Sequence, residues 1–230
     1  LGVSFKGKLE GPMKNAYLRI EKDAATGKHH PILTGLEDAE RMVHGAFRIE
    51  VEPRAEFLDR PVTLIPAYPD LPMEQVFPRV PRTDIAQIYL RELGRSRIAY
   101  FPSDIDRVFW EVMCPDHGKL LRNAVEWAVN EERPVTVTGP GVLDVTAWRQ
   151  KGSMTVHLVN LTNPMMMKGP FRELIPVGEQ RVKVRLPAGG KAKKVQLLVS
   201  GREPRVEEAA GALTVTVPSV LDHEVVAIDL

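Results

Sequence analysis

The segment Arg97 to Glu132, RIAYFPSDIDRVFWEVMCPDHGKLLRNAVEWAVNEE, reads as a buried strand, a short capped helix and a longer amphipathic helix. Ser103 can accept the free N–H groups that open the first helix, with Asp104 and Asp106 set against its positive end. Pro115 and Asp116 then restart a second helix. In it Leu120, Leu121, Ala124, Trp127 and Ala128 share one face, while Lys119, Arg122, Asn123 and Glu126 share the other. The apolar face must pack on a sheet, which predicts a buried Trp127. After Glu132 the composition turns abruptly β-rich, so the chain divides into 1–132 and 133–230.

Upstream, YLRIEK alternates as a strand does. In TGKHHPILTGLED, Pro31 and Gly35 bracket a short turn, because one fixes φ and the other accepts angles closed to side chains. Val62 to Ile65 reads as a strand. A long surface loop follows, with Pro66, Pro69, Pro72, Pro78 and Pro81 too dense for a central helix or strand. DIAQIYLREL and RIAYF form a hairpin across Gly94, Arg95 and Ser96, with Ala86, Ile88 and Leu90 on one face. Downstream, eight short alternating segments (134–139, 142–150, 153–161, 180–186, 193–199, 204–209, 212–217 and 223–230) are separated by turn residues, the pattern of an antiparallel β-sandwich. The loop Leu161 to Glu179 is far longer than a hairpin turn and carries Met165, Met166, Met167 and Phe171.

With 31 basic against 30 acidic residues, the chain has no electrostatic footprint for nucleic acid. No apolar run approaches the ~20 residues that span a bilayer. The single Cys114 excludes an internal disulfide framework and a cysteine-rich zinc site. Leu1 is not Met, and the opening LGVSFKGKLEG has neither the basic nor the apolar region of a signal peptide. The expectation is a soluble, cytoplasmic rather than secreted protein whose start lies inside something longer.

No catalytic motif emerges. Cys114 is followed by Pro115 and lacks the glycines of a nucleophile elbow, so it reads as a small buried hydrophobe. His29 and His30 are adjacent, not spaced i, i+4 as in helical zinc hydrolases, and read as a solvated loop pair. His117 reads as a polar group at a helix end. A glycosidase needs two carboxylates roughly 5 to 9 Å apart; Asp104 and Asp106 lie close in sequence, but capping accounts for both. The triplet Asn160-Leu161-Thr162 matches a glycosylation acceptor by coincidence. No phosphate-cradling glycine loop is present, and no catalytic residue, metal ligand or cofactor is assigned.

HPILTGLEDAERM, PVTLIPAYPDLPMEQVF and ELGRSRIAYFPSDIDRVFWEVMCPDHGKLLRNAVEWA together resemble the later half of the trimerisation-type domain that follows the catalytic barrel in some β-galactosidases and related glycoside hydrolases. The resemblance covers Gly2 to Ala128 and implies a partial flavodoxin-like α/β sandwich of the class I glutamine amidotransferase type. The following β-sandwich is similar to the small domain that closes such enzymes. In that family the catalytic carboxylates sit on the barrel, so none carries over to this chain. The resemblance thus implies a non-catalytic region serving oligomer assembly and shaping a carbohydrate cleft, with self-association or an N-terminal barrel as partner. Independently of the resemblance, apolar and aromatic groups on the two long loops, Tyr68, Met73 and Phe77 and then Met165, Met166, Met167 and Phe171, are the interface or ligand candidates. A free-standing carbohydrate-binding or assembly protein, and more weakly an amidotransferase-like enzyme using Cys114, are the alternatives.

Overall fold

Every strand pairing among the described residues is antiparallel. The computed structural model describes residues 2–54, 56–57, 60–69, 72–162, 173–187 and 190–230. They fall into two units, Leu1–Glu131 and Glu132–Leu230.

The first unit contains β1 (Val3–Glu10), β2 (Tyr17–Ile20), β3 (Arg41–Val43), β4 (Arg48–Pro53), β5 (Val62–Ile65), β6 (Tyr89–Leu93), β7 (Ser96–Tyr100), α1 (Ile105–Val112) and α2 (Pro115–Val129). These strands form a β1-β4 ribbon, a β3-β2-β5 sheet and a β6-β7 hairpin. A flavodoxin-like sandwich needs parallel strands joined by helical crossovers. Here the two helices are consecutive and follow all the strands, so the expected partial α/β sandwich is overturned. The helix α2 forms as expected with Leu120 and Ala124 buried, but Asn123 is buried too and Trp127, expected to be buried, is only half-buried. What the helix packs against is β7, α1 and the 3-10 turn Pro31–Leu33.

That packing explains the burial along α2. Leu120 and Ala124 join Leu18, Ile32, Leu33, Ile88 and Ile105 in one core. Asn123, expected on the solvent face, is buried because its Nδ2 donates to the carbonyls of Ile32 at 3.1 Å and Thr34 at 2.8 Å. His117, expected at a polar helix end, is fully buried and donates from Nε2 to Val43 O at 2.7 Å. Trp127 is half-buried, with the Arg97 guanidinium 5.4 Å from its ring centre and the His30 ring edge-on at 5.7 Å. Asp104, not Ser103, occupies the cap position of α1, and its carboxylate turns away from the helix N–H groups to accept from Phe47 N at 2.8 Å. The Ser103 hydroxyl is buried and has no hydrogen-bond partner among the described residues. Met113 adopts the left-handed conformation at the end of α1, and Pro115 begins α2.

Alternation builds the second unit. It comprises β8 (Val135–Thr138), β9 (Leu143–Gln150), β10 (Ser153–Asn160), β11 (Gln180–Arg185), β12 (Lys194–Leu197), β13 (Arg205–Ala209), β14 (Ala212–Val217) and β15 (His223–Asp229). Two sheets result, β12-β15-β10-β9 and β13-β14-β11-β8, and their inner faces share one core. In β11, Gln180, Val182 and Val184 are buried while Arg181, Lys183 and Arg185 are exposed. The β13-β14 turn uses left-handed backbone at both Ala210 and Gly211, the twist that matches a tight hairpin. Edge strand β13 is exposed along its length, and its Glu207 pairs with Arg181 and Arg205. The loop residues Met165, Met166, Met167 and Phe171 lie outside the described residues.

One buried carboxylate holds the turn after β12. Glu224 is 3% exposed, and it accepts from the backbone N–H groups of Val199 at 2.9 Å, Ser200 at 3.1 Å and Val225 at 2.9 Å. Burial alone would push its carboxyl up, but these donors prevail and hold it below the usual carboxylate range. Glu224→Ala should leave them unpaired and destabilise this unit by about 1 to 3 kcal/mol. Chemical denaturation should then show a lower midpoint with an unchanged slope.

Candidate functional site

A cavity of about 460 Å³ opens in the first unit between the β1-β4 ribbon, the segment before β5 and the approach to β6. That volume falls within the range of small-ligand pockets. Its apolar surface comes from Phe57, Ile85, Ile88, Tyr89 and neighbouring residues, and its charged groups are Lys6, Arg48, Glu50, Glu56, Arg60 and Asp84. Three cations thus face three anions.

Strand register places the central charge. Arg48 lies directly opposite Glu10 across the ribbon, and its Nε donates to Glu10 Oε2. The same carboxylate accepts from Lys8 Nζ at 2.7 Å. Lys8 and then Arg48 hold the Glu10 carboxyl below its ordinary range. Backbone bonds fix the strand in turn: Ile49 N donates to Pro102 O at 2.8 Å, and Asp104 N to Phe47 O at 3.1 Å. Arg48 is consequently only 7% exposed although it carries a full charge. Its Nη groups have no protein partner among the described residues, and Arg48 lines the cavity.

Around this cation the other groups are held loosely or not at all. Lys6 reaches Glu50 at 3.3 Å, and Arg60 donates one N–H to the backbone carbonyl of Asp84 at 3.2 Å. The carboxylates of Glu56 and Asp84 make no hydrogen bond or ion pair among the described residues. The Tyr89 ring meets Phe57 edge-on at 5.1 Å and Tyr100 at 6.2 Å, and burial pushes its phenol up. The arrangement can bind a small polar ligand against an apolar surface. Sequence reading missed it, since its residues come from positions 6 to 102 with no local motif.

The residues singled out from sequence lie elsewhere. Tyr68 stacks on Tyr17 at 6.3 Å, their hydroxyls 3.3 Å apart, so it is half-committed to the fold. Met73 is 91% exposed, and Phe77 is exposed beneath the Arg79 guanidinium. Trp110, unmarked as a surface residue in the sequence, is 67% exposed on α1. Cys114 is half-buried at the start of α2, with no hydrogen bond from its side chain among the described residues. His29 and His30 are half-buried, not solvated: His29 Nδ1 donates to Glu21 O at 3.2 Å, and His30 Nδ1 accepts from Ile32 N at 3.2 Å. Asp104 is occupied by Phe47 N and Arg107. Asn160 Nδ2 donates to the carbonyls of Ile175, Val220 and Leu221, which commits the amide of the glycosylation-like triplet to the fold. No group of three or more metal-ligating side chains is found among the described residues, and no described helix is long and apolar enough to cross a membrane.

No family model matches the sequence, and no curated protein matches it. The fold, however, recurs in solved glycoside hydrolases. The whole chain aligns with 33% of the α-L-fucosidase isoenzyme 2 from Paenibacillus thiaminolyticus, at a TM-score of 0.68 and 16% identity. A β-galactosidase from Bacillus circulans sp. alkalophilus aligns over 99% of this chain and 24% of its own, at a TM-score of 0.53 and 11% identity. The chain therefore spans a third or less of these enzymes, and the likeness is one of fold.

The Glu10 link to Arg48 carries a pH signature. A carboxyl depressed below its unfolded value, near 4.5, contributes stability above that value and loses it as pH falls through the lower folded one. Glu10→Gln should flatten the acid limb of the stability profile below about pH 4.5. Denaturation midpoints measured across acid pH, with equal slopes for the variant and the parent chain, would rule out this role.

Proposed function

We propose that this chain is a non-catalytic region of a larger glycoside hydrolase, where it supports oligomer assembly and shapes one side of a carbohydrate cleft. The observation that carries the reading is the alignment of the whole chain with a minor part of two glycosidases. Catalysis by such enzymes needs a carboxylate pair poised across a glycosidic bond. Of the pair visible in the sequence, Asp104 is held by Phe47 N and Arg107, and Asp106 lies in the exposed first turn of α1. A contact role draws support from Met73, Phe77 and Trp110, large apolar groups left in solvent where a partner surface could cover them.

Two measurements test the two halves of this reading. The purified 230-residue chain should hydrolyse neither 4-nitrophenyl α-L-fucoside nor 4-nitrophenyl β-D-galactoside. Reproducible turnover would sink the non-catalytic assignment. Light scattering should show self-association that is weakened when Tyr68, Met73 and Phe77 are changed together to Ser. A chain that stays monomeric at every concentration, with or without those changes, would rule out the assembly role.

A further inference from the structure

We infer that the cavity around Arg48 is a binding site for an uncharged saccharide unit, with the Arg48 guanidinium as its central hydrogen-bond donor. The site itself rests on geometry; the choice of a sugar among neutral polyols rests on the proposed glycosidase context.

Arg48 is the decisive group. Burying a guanidinium is costly unless its donors are satisfied. Among the described residues only Nε has a protein partner, Glu10, so one edge of the fork is fixed, and Arg48 lines a volume of about 460 Å³. A planar fork locked at its base loses little freedom when it donates to two adjacent oxygens, which is what neighbouring hydroxyls on a pyranose ring present.

The charge balance selects the ligand class. A phosphate or sugar acid would gain Arg48 but set its own charge near Glu50, Glu56 and Asp84. A cationic ligand would face Lys6, Arg48 and Arg60. A polyol avoids both penalties, because each hydroxyl can accept from a cation and donate to a carboxylate. Among the described residues the Glu56 and Asp84 carboxylates accept from no partner. Phe57, Ile85 and Tyr89 supply the apolar surface that the C–H face of a sugar ring covers. Charged rim, apolar wall and buried donor thus fit one chemistry.

Ligand-observed NMR on the intact 230-residue chain tests the inference, with methyl α-L-fucopyranoside and methyl β-D-galactopyranoside as probes and glucuronate and inorganic phosphate as ionic comparators. At least one neutral glycoside should bind saturably, with a dissociation constant of about a millimolar that salt leaves unchanged. Arg48→Lys keeps the charge but removes the fork, and it should weaken binding about tenfold. Since that buried substitution could disturb the ribbon, Asp84→Ala on the exposed rim provides a second variant, expected to weaken binding about threefold with an unchanged circular dichroism spectrum. Absence of saturable binding by the parent chain overturns the site. Unaltered affinity in both variants overturns its location, and tighter, salt-sensitive binding of phosphate or glucuronate overturns the neutral class. Hydrolysis or scattering results bear on the accessory role alone, so the two readings fail separately.

Discussion

A carbonyl or amide taken out of water has to find a partner, and in the first unit this requirement governs the architecture. Its sheets have two or three strands, too few to pair all the backbone that the core covers. Buried polar side chains complete the pairing. Asn123 and His117 bring the 3-10 turn and β3 onto α2, while His44 bridges the Gly45 carbonyl at 2.8 Å and the Gln87 side chain at 2.9 Å. Without these clamps the apolar face of α2 would have a core to enter but nothing to fix its position along the strands.

The same economy shapes the cavity. A two-stranded ribbon is marginal on its own, and β1 exposes even Phe5 and Leu9. What holds the ribbon is the tether of β4 to the loop before α1 and the pairing of Arg48 with Glu10. Because the pair follows from strand register, the guanidinium is presented from backbone and not from a loop, a rigid placement for a polar donor. The second unit shows the contrasting solution. Two four-stranded sheets pair backbone along their strands, and side chains such as Glu224 and Asn160 serve the backbone where the chain turns between strands.

Much of the second unit was legible because its inner strands bury one face, so the burial alternation of β10 and β11 follows the alternation of apolar and polar residues in their sequence. The two helices were legible from their capping residues and the apolar spacing of α2, and the β6-β7 hairpin from the turn at Gly94 to Ser96 between two apolar segments. The ribbon strands β1 and β4 were not, since their pairing rests on cross-strand contacts with little burial behind them. The α/β expectation failed on a more general point. An amphipathic helix specifies that it covers a core, not whether the strands beneath run parallel. A signal was available: no helix-period segment precedes Ser103, so no crossover helix could join the early strands. Of the candidate site nothing was legible, because Lys6, Arg48, Asp84 and Tyr89 meet only through tertiary folding. Asn123 was misassigned because sequence periodicity cannot distinguish a solvated amide from one that caps a neighbouring turn.

Strand β13 carries its own defence against strand addition. An open sheet edge normally invites another strand to add to it and continue the hydrogen-bond ladder. Here the edge carries Arg205, Glu207 and Glu208, with Glu207 engaged by charges on β11 and on β13 itself. An incoming strand would have to strip water from those groups and disturb the pairs. Addition of another strand along this edge is thereby discouraged.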